Sequence, residues 1–447
     1  MSLKRSIFYT FLTQAPNLFL FFIASTLMTR VLGDEGRGAY ALLQNQTALL
    51  SMLLGFNLGF GITYFTSKDH GDPRRMVRIA ASAICLNLVV VPILLAMIYW
   101  NTGLRQLFLP KEAAHWAFLL YVLFTVILGQ ITSFIGNIML GMKKFRMLNR
   151  MSIFNAALSA TGFTILYLLR NRIEPTHVLP LVLAVALSCV LLQSILWCII
   201  YIRVVGILPI PEWDWSVLRP FLAFVLVGYV SNIINLINYR FDIWVVGSYA
   251  GTAQLGLYAV AVGMGQLFFY VPEPFSRVVQ PYLYGDMDKV LLDKFKFIVR
   301  INLTSVAVLS IMLGGVAPWL IPLLFGKTFT GSVIALQWLL PGIVFVSGSK
   351  LISLLVVQGG YIRFNLVATA IAAALTIALD LVLIPRWGIL GASIASSISY
   401  LALLVVPFMV IRYKMHIPIW DMLFLRPSDL ARIRALVFAR LPFLTSK

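Results

Sequence analysis

Residues 178–202 read VLPLVLAVALSCVLLQSILWCIIYI and contain no charged side chain. A helix that spans a membrane needs about 20 apolar residues, because each residue rises 1.5 Å through roughly 30 Å of hydrocarbon. Twelve stretches of the chain meet this length, so we predict an all-α polytopic membrane protein with about twelve transmembrane helices. The predicted spans are approximately 7–31, 40–66, 77–100, 115–140, 149–169, 178–203, 218–248, 256–284, 297–325, 332–358, 364–385 and 389–411.

The composition excludes a soluble fold. Of the 447 residues, 60% are hydrophobic and only 11% are charged, whereas soluble domains carry roughly 25% charged residues; the mean hydropathy is +0.93. The formal net charge of +19 would suggest a nucleic-acid ligand in a soluble protein. In a membrane protein, the same excess marks cytoplasmic loops that face anionic lipids. No basic block interleaved with aromatic residues occurs, and we expect no nucleic-acid partner.

The distribution of Lys and Arg predicts the topology. With the N-terminus inside, 25 of the 35 basic residues fall on the cytoplasmic side and 8, including Arg30 and Arg37, on the outer side. This asymmetry places both termini in the cytoplasm and gives an even number of spans. Residues 412–447 form a basic tail, in which Ser428 precedes Leu430, Ile433 and Val437 at helical spacing. The tail is either an amphipathic helix on the inner leaflet or a disordered basic segment.

An internal repeat predicts two similar halves. The stretch GAYA at 38–41 recurs as GLYA at 256–259, 218 residues later, and Gly141 recurs as Gly359 at the same offset. We therefore expect two six-helix lobes, residues 1–205 and 206–411, called here the first half and the second half. Two similar lobes around a cavity can rock and expose that cavity alternately to each side of the membrane.

Charged side chains within the spans are candidates for function, because each costs about 2.5–3.5 kcal/mol even on insertion scales. All of them fall in the second half, with Arg30 at the outer boundary of the first. By depth they suggest two ion pairs, Arg240 with Asp380 and Glu273 with Lys350. Each pair either neutralises itself and stabilises the second half, or leaves Arg240 or Lys350 free to bind an anion in the cavity. The five residues are Arg240, Asp242, Glu273, Lys350 and Asp380.

Two polar features accompany these charges. Glu273 lies between Pro272 and Pro274, and a helix broken there offers free carbonyl groups and a carboxylate that can hold Na⁺ or H⁺. Asn232, Asn235 and Asn238 recur every three residues on the seventh span. Such a stripe either contacts the sugars of a substrate or holds neighbouring helices together.

No pattern in the sequence indicates an enzyme or a metal site. The four His residues never occur at metal-ligand spacing, and the chain lacks the GxxxxGK[ST] motif of ATP-binding loops. Cys85, Cys189 and Cys198 all lie in apolar runs and form no CxxC pair, so we expect neither disulfide bonds nor a bound cofactor.

Three stretches resemble one protein family. The segment TRVLGDEGRGAYAL at 29–42 is similar to the opening signature of the polysaccharide transporters. These are the oligosaccharide (O-antigen type) flippase branch of the multidrug/oligosaccharidyl-lipid/polysaccharide exporter superfamily. The stretches RFDIWVVG at 240–247, followed by LGLYAVA at 255–261, and IPRWGILGA at 384–392 also resemble this family.

The resemblance implies a MATE-like, two-lobed fold of twelve helices in a bacterial inner membrane. The implied substrate is an oligosaccharide on a polyprenyl diphosphate, moved to the outer leaflet for O-antigen, capsule or exopolysaccharide synthesis, alongside a polymerase and chain-length machinery. Family members are thought to use a cationic cavity, and some are coupled to ion gradients. The Arg240 and Asp242 positions match the family pattern.

These expectations assign a role to each candidate residue. Arg240 binds the diphosphate, with Arg30 at the outer rim and Arg277 at the inner one, Lys350 adds positive charge, and the asparagine stripe faces the glycan. Glu273, Asp380 and Asp242 are candidates for coupling to Na⁺ or H⁺. One alternative is a cation-coupled multidrug or metabolite antiporter of the same fold, and another is a membrane scaffold that does not transport.

Overall fold

The computed structural model describes residues 3–68, 73–109, 115–211, 213, 215–272 and 289–429. Over these residues the chain consists of helices joined by short turns, with no β-strand. The predicted all-α fold is confirmed. The helices are α1 (Leu3–Gly55), α2 (Leu58–Lys68), α3 (Arg74–Trp100), α4 (Thr102–Phe108), α5 (His115–Gly141), α6 (Phe145–Leu169), α7 (Pro175–Val204), α8 (Trp215–Tyr249), α9 (Gly251–Gln266), α10 (Lys289–Phe325), α11 (Ser332–Gln358), α12 (Ile362–Lys414) and α13 (Trp420–Leu423). Three short 3₁₀ helices cover Arg170–Arg172, Leu267–Tyr270 and Lys327–Gly331.

Ten helices in the described part of the chain are long and apolar enough to span a membrane. Two of them, α1 and α12, have 53 residues each, about 80 Å and more than twice the thickness of the hydrocarbon core. Each is interrupted by a glycine in the left-handed region, Gly33 (φ 66°) and Gly388 (φ 56°). A Cβ built on Gly391 would lie 2.6 Å from the carbonyl carbon of Leu383, so the chain folds back at Gly388. The ten helices thus hold twelve span-length segments, as predicted.

Two predicted spans are less regular than expected. The span predicted at 40–66 is broken at Phe56 and Asn57, which have positive φ angles of 45° and 56°. In the span predicted at 256–284, α9 ends at Gln266 and gives way to a 3₁₀ turn at Leu267–Tyr270, while residues 273–284 lie outside the described residues. Glu273 and its flanking Pro274 lie outside the described residues, as does Arg277.

Each half contains a buried apolar cluster of its own, and two further clusters combine side chains of both halves. Buried apolar side chains of α1, α3, α5, α6 and α7 form one cluster, and those of α10, α11 and α12 form another. Polar side chains inside these bundles bond to each other: the Asn87 amide donates to Leu54 O at 3.1 Å and to Gln130 Oε1 at 2.7 Å. Such pairing is required where no water reaches. The predicted boundary at 205/206 falls in the α7–α8 connection and stays a prediction.

The two halves touch through a reciprocal pair of glycines. A Cβ built on Gly38 would lie 2.7 Å from the carbonyl carbon of Thr252, and one on Gly256 would lie 2.8 Å from that of Asp34. These four positions are related by the same 218-residue offset that the sequence repeat has. Only residues without a side chain allow helices to approach this closely. The contact joins the start of the second segment of α1 to α9, at the end of the bundle that we call the outer end, following the predicted topology.

The C-terminal segment is fixed to the second half by a buried ion pair. Arg300 of α10 donates from Nε and Nη2 to the carboxylate of Asp429, at 2.6 and 2.9 Å. Lys296 binds Asp421 at 3.2 Å nearby. The amphipathic helix predicted beyond Ser428 lies almost wholly outside the described residues.

Candidate functional site: a polar cavity with two arginines

A cavity of about 880 Å³ lies between the helices of the first half and α8. Its walls come from both segments of α1 and from α2, α5, α6 and α7, while α8 contributes Asn232 and Arg240. Polar, uncharged side chains make up much of the lining. They include Ser25, Gln44, Thr47, Ser51, Asn57, Thr125, Gln130, Ser133, Asn137, Asn155, Ser159 and Gln193, with the tyrosines Tyr40 and Tyr121.

The charged residues that line this cavity are both arginines. They are Arg37 from the first half and Arg240 from the second. No Asp or Glu belongs to the lining that the structure describes. The cavity therefore combines positive charge with many hydrogen-bonding groups, and its chemistry suits an anion attached to a hydroxyl-rich body.

The position of Arg37 corrects the sequence analysis, which placed it in an outer loop and found no charge within the first half. The second segment of α1 starts directly after Gly33, so Arg37 lies inside the helix and is 8% exposed. Its Nε and Nη1 atoms have no hydrogen-bond partner among the described residues. The Tyr40 ring, 5.9 Å from the guanidinium carbon, is a neighbour on the same helix.

Arg240 and Asp242 lie in different surroundings, although the charge of Arg240 acts on Asp242. Arg240 lines the cavity. Asp242 is buried in the second half, where it accepts hydrogen bonds from the Tyr258 hydroxyl at 2.5 Å and the Ile243 amide at 2.8 Å.

The predicted ion pair between Arg240 and Asp380 is wrong. Asp380 is fully buried on α12, and neither of its carboxylate oxygens has a hydrogen-bond partner in the part of the chain that the structure describes. Its electrostatic neighbour is Asp242, with Tyr258 also within range. The prediction failed because depth along a helix says nothing about the direction in which a side chain points around it. The structure instead brings two buried carboxyl groups together.

Of the second predicted ion pair, Glu273 with Lys350, only Lys350 lies among the described residues. The Lys350 ammonium lies 4.5 Å from the centre of the Phe269 ring, a cation–π distance. Lys350 does not belong to the cavity lining. Glu273, its predicted partner, and Arg277, the predicted inner-rim residue, lie outside the described residues.

The asparagine stripe is divided between different environments. Asn232 lines the cavity and donates to Asn57 Oδ1 at 3.0 Å. Asn238 is buried and donates to Thr369 O at 3.1 Å, a contact between α8 and α12. Asn235 is exposed and outside the lining. Three-residue steps on a helix drift by about 60° each, so residues six apart differ by about 120° and cannot share one face.

Arg30 holds helices together at the outer end. Its guanidinium donates to the carbonyl oxygens of Leu323 and Leu324 on α10 and to the Tyr167 hydroxyl on α6. The distance from Nε to Leu324 O is 2.5 Å. Arg30 is not part of the described cavity lining, and these contacts between the halves do not favour its predicted role at the substrate.

The sequence contains a signal that places Arg37 within a helix and not in a loop. Gly33 ends the first span, and the acidic residues Asp34 and Glu35 follow it directly. Acidic residues are favoured in the first turn of a helix, because they interact with its positive end. A helix that starts at Asp34 carries Arg37 into the membrane, about one turn from the outer end. The three cysteines are free, as predicted.

Several solved structures share this fold at low sequence identity. The lipid II flippase MurJ in an inward closed conformation superposes with a TM-score of 0.70 at 14% identity, covering 96% of this chain and 92% of MurJ. An inward-facing multidrug resistance MATE transporter of the MOP superfamily has a TM-score of 0.67 at 14% identity, covering 89% and 94%. A MOP superfamily transporter from Pyrococcus furiosus has a TM-score of 0.59 at 13% identity, covering 93% and 96%. The chain thus has the fold of the MOP superfamily transporters.

The sequence itself identifies the family. Residues 3–285 match the polysaccharide biosynthesis protein family, and the chain belongs to that family. Comparison with curated protein sequences gives no significant match. The expected resemblance to polysaccharide transporters is confirmed, as is the multi-pass membrane architecture.

Proposed function

We propose that this protein is a flippase, which moves an oligosaccharide linked to a polyprenyl diphosphate from the cytoplasmic to the outer leaflet by alternating access. The observation that carries the proposal is the cavity, whose charged lining residues are Arg37 and Arg240 and whose other polar residues are amides and hydroxyls. A guanidinium binds phosphate oxygens through paired hydrogen bonds. Amide and hydroxyl side chains suit the hydroxyl groups of sugars.

Membership of a polysaccharide biosynthesis family and the fold of a lipid II flippase support this proposal. Under this proposal the protein lies in a bacterial inner membrane with both termini in the cytoplasm. The translocated lipid-linked oligosaccharide serves O-antigen, capsule or exopolysaccharide synthesis, where a polymerase with chain-length machinery uses it. The protein acts as a transporter and not as a catalyst.

The cavity chemistry disfavours the drug-antiporter alternative. Cationic drugs bind where carboxylates or aromatic faces compensate their charge. Here the described lining has aromatic side chains, including Tyr40 and Tyr121, but its two guanidinium groups repel a cation and no carboxylate compensates that repulsion. A scaffold that does not transport has no need of a large polar cavity. Because polar surface is energetically costly in hydrocarbon, the cavity disfavours the scaffold alternative.

The proposal is tested with purified protein in vesicles that carry a fluorescent polyprenyl-diphosphate-linked oligosaccharide in both leaflets. We expect protein-dependent exchange of the lipid between leaflets, measured by quenching from outside. Absence of exchange, together with protein-dependent transport of a cationic drug, would support the antiporter instead.

We also propose that the buried acids Asp242 and Asp380 couple transport to a cation. Two neighbouring carboxyl groups in hydrocarbon repel each other when ionised, and Asp380 has no compensating partner within the described part of the protein. A proton or Na⁺ bound there would remove that penalty. Tyr258 links the site to helix α9, because its hydroxyl contacts both Asp242 and Ser396 Oγ, the latter at 3.4 Å. Glu273 remains a further candidate for this coupling.

This coupling predicts a double effect of Asp380→Asn. Because Asp380 has no compensating partner in the described part of the protein, its replacement by the neutral amide should not lower the midpoint of thermal unfolding. The same substitution should abolish the acceleration of lipid translocation by an imposed Na⁺ or proton gradient. Asp293→Asn, at an exposed position on α10, is the control and should change neither property. If the gradient still accelerates transport in Asp380→Asn as it does in the wild type, Asp380 is not the coupling site.

A further inference from the structure

A groove of about 800 Å³ lies at the inner end of the first half, opposite the end that holds the Gly38–Gly256 contact. It is formed by the turn between α5 and α6, by the first two turns of α6, and by Ile200 near the end of α7. A Cβ built on Gly141, at the end of α5, would lie 2.6 Å from the Cβ of Thr66, near the end of α2. Because α2 continues the second span inward, this turn lies on the cytoplasmic side of the predicted topology.

The lining of the groove is half cationic and half apolar. The cationic side chains are Lys143, Lys144, Arg146 and Arg150, and the apolar ones are Phe145, Met147, Met151 and Ile200. No acidic or uncharged polar side chain belongs to the lining that the structure describes. The four cations are exposed, and none of them forms an ion pair with a described residue. The groove therefore presents four positive charges beside an apolar wall.

Two of these charges are unfavourable for the helix that carries them. Basic residues are usual in cytoplasmic loops, but Arg146 and Arg150 lie within α6. They are four residues apart and share one face of the helix, where like charges destabilise it. Arg146 also lies in the first turn, at the positive end of the helix dipole, and that turn contains no acidic residue. An anion bound between the two arginines removes both penalties.

We infer that this groove binds the anionic headgroup of a phospholipid of the inner leaflet, with the acyl chains against the apolar wall. The inference goes beyond the proposed function and does not depend on which substrate is transported. Basic pockets between transmembrane helices on the cytoplasmic side are suited to anionic lipid headgroups. Arg150 lies where the phosphates of that leaflet reach, because the predicted apolar span of this helix begins at residue 149.

The apolar wall distinguishes a lipid from a soluble anion. Met151 is buried and packs with Trp197, and Met147 and Ile200 pack against the same cluster. These side chains continue the groove from the four cations toward the hydrocarbon. A soluble phosphate compound contacts only the charged part of such a groove, whereas a phospholipid fills both parts.

The test titrates the full-length protein in detergent with phosphatidylglycerol or phosphatidylcholine and measures the bound lipid by native mass spectrometry. Arg146→Gln with Arg150→Gln should lower the affinity for phosphatidylglycerol by roughly tenfold or more. Arg146→Lys with Arg150→Lys keeps both charges and should stay close to the wild type. The matched control is Arg412→Gln with Lys414→Gln, which removes two exposed charges at the end of α12, outside the groove. It should bind phosphatidylglycerol as the wild type does. All these positions are exposed, so the unfolding midpoint without added lipid should not change.

The outcomes separate a lipid site from other occupants. Unchanged affinity of the Arg146 and Arg150 glutamine variant would overturn the inference, and so would an equal loss in the control, which marks a general effect of surface charge. Equal affinity of the wild type for phosphatidylcholine would overturn the assignment to an anionic headgroup. Glycerophosphoglycerol, the same headgroup without acyl chains, should bind far more weakly, and equal affinity would assign the groove to a soluble phosphate compound. Displacement of phosphatidylglycerol by farnesyl diphosphate, with the same dependence on the two arginines, would assign it to the transported lipid. The proposed function fails separately, if the wild type does not move the lipid-linked oligosaccharide.

Discussion

Arg240→Ala is expected to reduce translocation of the lipid-linked oligosaccharide by at least about tenfold in reconstituted vesicles. Hydrogen bonds to a charged group contribute about 1.5–3 kcal/mol each, and 1.4 kcal/mol corresponds to a factor of ten. Arg240 is the charged residue that the second half contributes to the described cavity lining, so its loss removes that half of the binding site. Arg240→Lys should retain part of the activity, because the ammonium keeps the charge but not the planar pair of donors.

Arg219→Ala is the matched control for this experiment. Arg219 lies on the same helix, α8, but is exposed and outside the cavity lining. Its substitution should leave translocation within about twofold of the wild type, because exposed positions away from the site contribute little. Full activity of both Arg240 variants would contradict the role of Arg240 in binding the substrate.

The second large effect is expected from the glycine contact at the outer end. Gly38→Ala or Gly256→Ala places a methyl group within 3 Å of main-chain atoms of the opposite half. Neither main chain can yield as a flexible side chain would, so α1 and α9 must separate at that end. We expect the outer closure to loosen, and translocation to fall several-fold because one of the two alternating states is destabilised.

Accessibility from outside measures this separation. Gln44 is exposed and lines the cavity one turn beyond Tyr40, so Gln44→Cys should react slowly with a membrane-impermeant thiol reagent applied to intact cells. Adding Gly38→Ala or Gly256→Ala should accelerate the reaction. Gly263→Ala on the same helix, α9, is the control, because no atom lies within 4 Å of its built Cβ. An unchanged labelling rate in both glycine variants would show that this contact does not close the outer side.

The fold could be predicted from the sequence because it depends on the length of the apolar stretches and on the internal repeat. Twelve apolar stretches predicted twelve span-length segments, and Gly33 and Gly388 mark the turns inside helices that are too long for one span. The repeat predicted two similar halves, and the structure adds that its glycines Gly38 and Gly256 meet at the contact between them. These features depend on local composition and spacing, which the sequence states directly.

The candidate site was less predictable, because it depends on direction around each helix. Depth alone paired Arg240 with Asp380, whereas the structure turns one toward the cavity and buries the other beside Asp242. The asparagine spacing suggested one polar face, but only Asn232 reaches the cavity. Arg37 was missed because the length of the outer loop was overestimated. Tertiary packing decides the direction in which each of these side chains points, and the sequence of a single span does not contain that information.

The most direct test of the account asks whether the lipid-linked oligosaccharide occupies this cavity. Ser133 of α5 is exposed and lines it, and Ser133→Cys can be introduced after Cys85, Cys189 and Cys198 are replaced by Ser. The measurement is the rate at which the purified, active protein reacts with a thiol reagent. We predict that polyprenyl-diphosphate-linked oligosaccharide slows the reaction several-fold, while an exposed Arg172→Cys control is unaffected. An unchanged rate at saturating substrate, in a protein that still translocates it, would show that the substrate takes another path.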